Sequence, residues 1–276
     1  MTRVSTHSAA TNQGDRSGVF AALMGRQASN SNSFSKPQYS QRWVEFSGSI
    51  GFARGMKFPR LPTLLVLSVV LALPVSQSAS EPVNLDKAKQ QVYRYVNSGE
   101  YAKDLGSVAL KATKYLAKRL NKPAKPGEKR AIVLDIDETA VSNLPHLIAN
   151  DFGYVPAIWH RYIATSQAKA IVPVQIIYDM ATKAGVSVFF ITARKESDRA
   201  GTERNLRDVG YDTWTKIYYQ ADDSEEPAQR YKTAIRKQLV AEGYTIILNL
   251  GDQDSDLEGG FAEKTFKLPN PIYRVK

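Results

Sequence analysis

From residue 81 onward, the chain alternates between two hydrophobic patterns. Short runs of consecutive apolar residues are typical of strands buried on both faces, whereas apolar residues three or four positions apart are typical of amphipathic helices. The predicted strands cover residues 131–134, 186–191, 216–219, 244–250 and 265–268. Strands that alternate with helices of ten or more residues predict an α/β fold, in which right-handed crossovers build a parallel sheet.

Helical periodicity precedes and separates these strands. The predicted helices cover residues 84–96, 100–120, 173–184, 197–208 and 227–242. Asn84 can cap the first helix through its side chain. Gly185, Gly210 and Gly243 follow the last three helices, where glycine commonly ends a helix. The two helices at 84–120 are therefore predicted to precede a chain of alternating strands and helices.

Residues 140–172 fit neither pattern. They are irregular and aromatic, and they include Phe152, Tyr154, Trp159 and Tyr162. Because they directly follow the first strand and its acidic end, we expect a small helical cap insertion over the strand ends. Core and insertion together would form one domain over residues 81–276.

The first eighty residues differ in composition from the rest. Residues 1–55 are rich in Ser, Asn, Gln and Gly, and they bury too little apolar surface to predict a packed fold. We interpret them as a disordered extension. A second interpretation is that translation starts at Met56, which directly precedes a basic segment.

Residues 56–80 have the layout of a signal peptide. Basic residues precede an apolar run of 15 residues at 61–75, and small residues follow it. Cleavage is predicted near Ala79 or Ser80, which implies a secreted or periplasmic protein without a stable membrane anchor. The alternative is a retained signal anchor, although a membrane-spanning helix needs about 20 apolar residues.

Charge and cysteine content narrow the functional classes. Of the net charge of +10, most lies in residues 1–80, which carry eight Lys and Arg against two Asp and Glu, while residues 81–276 carry 29 against 25. A weakly basic remainder suits small anionic substrates and does not indicate binding to a nucleic acid polymer. The absence of cysteine excludes disulfides, cysteine nucleophiles, cysteine ligands and a lipid-modified cysteine.

Acidic and polar residues follow three of the predicted strands. They are Asp135, Asp137, Thr192, Arg194, Asp252 and Asp256. The carboxyl ends of strands in an open α/β sheet are where ligands bind. Carboxylates there can hold Mg²⁺, while Lys232 and the Thr192 hydroxyl can offset the charge of a phosphate. The set therefore predicts phosphoryl-transfer chemistry.

These residues resemble the motifs of the haloacid dehalogenase (HAD) superfamily of phosphatases. A strand ending in D-x-D-x-T is matched at 135–139, a threonine at a strand end by Thr192, a lysine by Lys232, and an acidic pair by Asp252 and Asp256. Within that superfamily, the D-I-D-E-T form, the I-T-A-R strand end and the closing L-P-N-P-I-Y are similar to class B-type acid phosphatases. That family includes plant vegetative storage proteins and bacterial secreted acid phosphatases that cleave nucleotides.

The resemblance covers about residues 84–274. It implies a HAD-like, Rossmann-type three-layer sandwich with a parallel sheet and a small cap. It also implies a secreted, Mg²⁺-dependent acid phosphatase that hydrolyses small phosphomonoesters, nucleotides among them, with one Mg²⁺ per active site. Oligomeric state stays open, and a homo-oligomer is compatible with the resemblance.

The resemblance also assigns roles at the acidic strand ends. Asp135 would be the nucleophile that forms an aspartyl-phosphate, and Asp137 would be the general acid and base. Asp135, Asp252 and the backbone carbonyl of Asp137 would bind the metal.

Four further residues would support this chemistry. Thr192 and Lys232 would hold the phosphate, and Asp256 would orient Lys232 or a metal-bound water. Capping of the next segment is the structural alternative for Thr192 and for Asp256. Arg194 could contact phosphate or form a surface ion pair, and Lys216 competes with Lys232 for the lysine role.

Two questions remain open at the level of sequence. Tyr154, Trp159 and Tyr162 could stack on an aromatic leaving group or form the core of the insertion, whereas His146 and His160 are expected to be structural or to contact substrate. The functional alternatives are a narrower 5′-nucleotidase, a phosphotransferase, and a non-catalytic storage or binding protein of the same fold.

Overall fold

One five-stranded parallel sheet organises the part of the chain that the computed structural model describes, residues 81–165 and 167–275. The expected extension and signal peptide lie outside these residues. The strands described are β1 (Lys129–Leu134), β2 (Val141–Ser142), β3 (Lys169–Ala170), β4 (Ser187–Lys195), β5 (Lys216–Gln220), β6 (Tyr244–Gly251) and β7 (Thr265–Lys267). The sheet has the order β5-β4-β1-β6-β7, and every neighbouring pair is parallel. The predicted parallel α/β architecture is confirmed.

Helices cover both faces of this sheet. Those described are α1 (Leu85–Asn97), α2 (Glu100–Leu120), α3 (Leu144–Ala149), α4 (Pro156–Thr165), α5 (Val172–Lys183), α6 (Arg199–Asp208), α7 (Ala228–Ala241) and α8 (Asp254–Leu257). Asn84 caps α1, because its side-chain oxygen accepts a hydrogen bond of 3.2 Å from the Lys87 amide. No helix among the described residues is long and apolar enough to cross a membrane.

Alternation along the central strands produces two separate cores. Ile132 and Leu134 of β1 pack in a cluster with α2 and α5. Ala131 and Val133, the alternate residues of the same strand, pack in a second cluster with Leu239 of α7. Because successive side chains of a strand point to opposite faces, the continuous apolar run of β1 fills both cores at once. The result is three layers.

Some details of the elements differ from the sequence-based predictions. β4 continues to Lys195 instead of ending at residue 191, and its pairing with β5 shifts register there. The helix predicted at 197–208 begins as a 3₁₀ turn at Glu196–Asp198 before α6. These differences arise at strand ends, where local hydrogen bonding replaces the hydrophobic pattern that the prediction used.

The insertion (residues 140–172) contains α3 and α4. The antiparallel pair β2 and β3 joins its two ends, with Val141 opposite Ala170. α4 packs against α6 and the 3₁₀ turn, and His160 Nδ1 lies 2.7 Å from Asp198 Oδ1. These contacts hold the insertion beside the carboxyl ends of β1 and β4.

Candidate active site

Three buried aspartates meet where β1 and β6 end. Asp135 directly follows β1, and Asp252 directly follows β6, the neighbouring strand. Asp256 lies on the short α8, and one carboxylate oxygen from each of the three residues lies within 4.8 Å of the others. Gly251 permits this approach, because a Cβ at that position would lie 2.3 Å from the Asp256 side chain.

Lys232 joins two of these aspartates. It lies on α7, and its Nζ is 2.6 Å from Asp135 Oδ1 and 2.5 Å from Asp256 Oδ1. Lys216, the competing lysine, is instead exposed at the start of β5, with its ammonium 4.5 Å from the centroid of the Tyr218 ring. The structure therefore brings Lys232, and not Lys216, to the acidic cluster.

The cluster carries more negative than positive charge. Burial, together with the nearby Asp256 carboxylate, raises the pKa of Asp135 well above its ordinary value. The same two causes raise the pKa of Asp252 to about 7. Burial opposes the charged form of Lys232, but Asp135 and Asp256 outweigh it and raise the lysine pKa. Three carboxylates around one ammonium favour the binding of a further cation.

Asp252 is held by side chains for which the sequence predicted no such contact. Its Oδ2 accepts hydrogen bonds of 2.6 Å from Gln253 Nε2 and of 2.6 Å from Asn270 Nδ2. Its Oδ1 accepts a longer bond of 3.3 Å from the Thr139 hydroxyl. Asn270 belongs to the L-P-N-P-I-Y segment, so the motif was visible in the sequence although its contact was not.

Asp256 combines the two roles that the sequence left as alternatives. One carboxylate oxygen accepts the hydrogen bond from Lys232. The other accepts a hydrogen bond of 2.8 Å from the Gln253 backbone amide, as part of a capping box at the start of α8. Arg236 and Asn249 donate to its backbone carbonyl at 2.6 Å and 2.8 Å. Asp256 is therefore fixed on every side.

Arg194 is bound to Asp137. Its Nη2 donates 2.6 Å to Asp137 Oδ1, and its Nε lies 3.1 Å from each carboxylate oxygen. The Arg194 side chain is 3% exposed and that of Asp137 is 19% exposed, so the pair is partly buried and is not the surface pair considered above. Burial opposes its charge, but Asp137 raises the Arg194 pKa. Thr202 accepts a further bond of 3.0 Å from Nη1.

Thr192 is fully buried within β4. Its hydroxyl oxygen accepts a hydrogen bond of 3.1 Å from the amide of Arg194, which belongs to the same strand and not to the next segment. The hydroxyl hydrogen stays available as a donor, because the oxygen acts only as acceptor in this bond.

A cavity of about 480 Å³ opens over the cluster. Asp135, Asp137, Asp252, Asp256, Arg194 and Lys232 line its floor. Its remaining wall is largely apolar and includes Leu147, Phe152, Tyr154, Trp159 and Val275. A phosphate at the floor would therefore leave its organic group against apolar and aromatic side chains.

The aromatic residues of the insertion divide into two sets. Tyr162 stacks on His146 with ring centroids 4.0 Å apart, so both contribute to packing within the insertion. Tyr154 and Trp159 line the cavity, and Tyr154 is 68% exposed. Tyr154 and Trp159, together with Phe152, are therefore placed to meet a substrate.

Comparison with known proteins identifies the family of this chain. A sequence model of the HAD superfamily, subfamily IIIB (acid phosphatase), matches residues 63–276. The chain belongs to this acid phosphatase family. It is a phosphoric monoester hydrolase, and the expected HAD-like fold is confirmed.

Individual relatives agree with this assignment. Stem 28 kDa glycoprotein of Glycine max is 32% identical over 189 residues, which are 66% of this chain and 72% of that protein. Acid phosphatase 1 of Solanum lycopersicum is 34% identical over 148 residues, 52% of this chain and 58% of that protein. The class C acid phosphatase from Bacillus anthracis superposes with a TM-score of 0.57 at 27% identity, covering 69% of this chain and 86% of that structure.

Proposed function

We propose that this acid phosphatase is an exported, Mg²⁺-dependent enzyme that hydrolyses phosphomonoesters through a phosphorylated Asp135. The observation that carries the proposal is the buried group of three carboxylates around Lys232 at the floor of the cavity. The signal-like layout of residues 56–80 supports export.

The donor set fits a hard divalent cation. Carboxylate oxygens are the ligands that Mg²⁺ prefers, and one ammonium does not neutralise three carboxylates. Asp135, Asp252 and the backbone carbonyl of Asp137 would hold the ion. Bound there, Mg²⁺ would offset negative charge on the phosphate oxygens.

The side chains then divide the chemistry. The Asp135 carboxylate attacks phosphorus, the bond from phosphorus to the leaving oxygen breaks, and Asp137 gives that oxygen its proton. Asp137 next takes a proton from a water that attacks the phosphorylated Asp135, which releases inorganic phosphate. Lys232 and the Thr192 hydroxyl hold the phosphate oxygens, while Arg194 orients Asp137 beside them.

The apolar wall favours substrates with an apolar or aromatic leaving group. Tyr154 and Trp159 provide faces on which a nucleobase or a phenyl ring can stack. The narrower 5′-nucleotidase function is therefore the second candidate. Comparison of kcat/KM for nucleoside 5′-monophosphates, aryl phosphates and alkyl phosphates separates the two.

The nucleophile is tested with Asp135→Asn. We expect at least a 10³-fold loss of phosphatase activity and no phosphorylated protein after acid quenching, whereas the wild type yields a phosphorylated peptide containing Asp135 by mass spectrometry. Chelation should abolish wild-type activity, and Mg²⁺ should restore it. Asp208→Asn, an exposed aspartate of α6, serves as control. A folded Asp135→Asn variant with wild-type activity would falsify the mechanism.

A further inference from the structure

Asp137 is contacted by a second donor besides Arg194. Asn143 Nδ2 donates 2.8 Å to Asp137 Oδ1 and 3.1 Å to Glu138 Oε2. The hydroxyl of Tyr273 donates 3.0 Å to the same Glu138 oxygen. A continuous chain of hydrogen bonds therefore runs from the C-terminal segment through Glu138 and Asn143 to Asp137.

The side chain of Asn143 is diverted from its usual task. Asn143 stands at the N-cap of α3, where asparagine normally accepts a bond from the first turn of the helix, yet it makes no such bond. Its nitrogen faces the two carboxyl groups, where it donates to Asp137 Oδ1 and Glu138 Oε2. Its Oδ1 is buried and has no hydrogen-bond partner among the described residues. The missing capping bond and the unpartnered Oδ1 both cost folding free energy. This cost indicates that the contact between Asn143 and Asp137 serves function and not stability.

Glu138 is held in an unfavourable conformation to make its contacts. Its φ of 49° lies in the left-handed region, which a glutamate rarely adopts, and its side chain is fully buried. Besides the donors named above, the Asn143 backbone amide donates 2.6 Å to Glu138 Oε1. Glu138 thus binds Asn143 at both its backbone and its amide. Strain of this kind is characteristic of functional sites.

We infer that Asn143, held by Glu138 and Tyr273, is a positioning residue that fixes the orientation of the Asp137 carboxylate for proton transfer to the leaving group. Oδ1 of Asp137 faces N–H donors from Asn143 and Arg194, at 2.8 Å and 2.6 Å, so a proton there would point at another hydrogen. Among the described residues, Oδ2 accepts only from Arg194 Nε, at 3.1 Å. This geometry leaves Oδ2 as the oxygen that can exchange a proton with the leaving group. This inference rests on the proposed acid role of Asp137.

The test uses leaving groups that differ in their need for a proton. Departure of p-nitrophenolate needs no acid, whereas departure of a glycerol alkoxide does. Because kcat/KM reports the steps up to departure of the leaving group, p-nitrophenyl phosphate and glycerol 2-phosphate are compared in the full chain with Mg²⁺. The variants are Asn143→Ala and Tyr273→Phe. Their matched controls are Asn205→Ala, a buried amide bonded to the Ala168 carbonyl, and Tyr178→Phe, a buried tyrosine bonded to Thr213.

We expect Asn143→Ala to lower kcat/KM for glycerol 2-phosphate by about 10- to 100-fold and that for p-nitrophenyl phosphate by less than about threefold. The larger effect stays at or below about 100-fold, the lower end of the contribution of a general acid, because Asn143 only positions the acid. Tyr273→Phe should also lower kcat/KM more for glycerol 2-phosphate than for p-nitrophenyl phosphate, but by a smaller factor. Both controls should leave the ratio of the two substrates unchanged.

Asp137→Asn separates the inference from the function beneath it. If Asp137→Asn lowers kcat/KM equally for both substrates, the acid role of Asp137 itself is wrong. If Asp137→Asn lowers kcat/KM mainly for glycerol 2-phosphate, but Asn143→Ala and Tyr273→Phe do not, only the positioning role is wrong. Because Tyr273→Phe removes a single hydroxyl, it decides the matter if Asn143→Ala does not fold.

Discussion

Asp252 and Asp256 lie four residues apart, yet their surroundings suit them to different tasks. Both carboxylate oxygens of Asp256 accept strong bonds, one from Lys232 and one from the Gln253 amide. Asp252 has one oxygen held by two amides, whereas its Oδ1 receives only a 3.3 Å bond from Thr139. A metal ligand needs a free electron pair directed at the ion. Asp252 is therefore the better ligand, and Asp256 the better support.

This difference predicts unequal effects on metal affinity. Asp252→Asn should weaken Mg²⁺ binding by more than 100-fold, because it removes a charged ligand. Asp256→Asn should weaken it by about 10- to 100-fold, as is usual for groups that orient a ligand. Isothermal titration with Mg²⁺ measures both, without dependence on turnover. Equal losses in the two variants would contradict the assignment.

The sequence identifies residues of the active site only where their position relative to a predicted strand or helix determines where they lie in the fold. Asp135 and Asp252 follow strands that neighbour each other in the sheet, so strand order alone brings them together. Lys232 lies on a helix that follows a predicted strand, and its long side chain reaches the site. Asn143, Asn270 and Tyr273 depend on the path of loops, for which hydrophobic periodicity carries no information.

At the scale of elements, the C-terminal segment (residues 269–275) is part of the site. It follows β7 and supplies Asn270 to Asp252 and Tyr273 to Glu138. The Val275 amide also donates 3.0 Å to Gln253 Oε1. The described residues of the segment form no strand or helix. Its contribution is therefore to hold Asp252, Gln253 and Glu138 through hydrogen bonds from outside the sheet.

Removing this segment tests its contribution. A chain ending at Leu268 keeps β7 and the buried Leu268 side chain, so cooperative unfolding in urea should persist. We expect Mg²⁺ affinity and kcat/KM to fall by about tenfold or more, since Asp252 and Glu138 lose their amide and hydroxyl donors. The single variants Asn270→Ala and Tyr273→Phe should each reproduce part of the loss. Unchanged Mg²⁺ affinity would show that the segment only covers the surface.

The insertion is expected to contribute to substrate choice. Tyr154 lines the cavity and is 68% exposed, so its ring is available for stacking. Tyr154→Ala should raise KM for adenosine 5′-monophosphate about fivefold, the lower end of the effect of base stacking. KM for glycerol 2-phosphate is the internal control and should not change. A parallel rise for both substrates would indicate that Tyr154 supports the insertion instead.

The periodicity of the chain predicted the major elements but not the small ones. Strands and helices of the core are long enough for their apolar patterns to be recognised, and short length with β-branched residues favours a strand for the buried run of β1. β2 and β3 have two residues each, and α8 has four. Elements this short are defined by hydrogen bonds to distant segments. Among them, α8 contributes Ser255 and Asp256 to the lining of the active-site cavity.

Across the whole domain, charge is distributed differently at the two ends of β1. At its carboxyl end, three aspartates lie close together beside the single ammonium of Lys232. At its amino end, Glu128 accepts bonds from Arg119 and Arg130, and Glu263 accepts 2.8 Å from Arg119. The balanced end links α2, β1 and the segment before β7. We therefore expect the ion pairs at the amino end of β1 to contribute to stability, and the acidic cluster at its carboxyl end to contribute to function.

Glu128 gives this expectation a pH dependence. Although burial opposes its ionised form, bonds from Arg119, the Lys125 amide and Arg130 lower its pKa from 4.5 to about 2. A carboxyl whose folded pKa is depressed stabilises the fold above its ordinary pKa, and this stabilisation is lost as the pH falls through the folded value. Glu128→Gln should therefore lower the free energy of unfolding by about 2 kcal/mol at pH 7, the usual size for hydrogen bonds to a charged group.

The difference between wild type and Glu128→Gln should persist at pH 5 and shrink between pH 4.5 and pH 2, where Glu128 takes up its proton. Urea unfolding at each pH measures it in the chelated protein, so that metal binding at the other end of β1 does not contribute. Glu225→Gln, at an exposed loop position, is the matched control and should follow the wild type throughout. A difference that stays constant down to pH 2 would mean that packing around Glu128, and not its charge, stabilises this end. Activity at saturating Mg²⁺ should be the same in both proteins, because the two charge clusters lie at opposite ends of one strand.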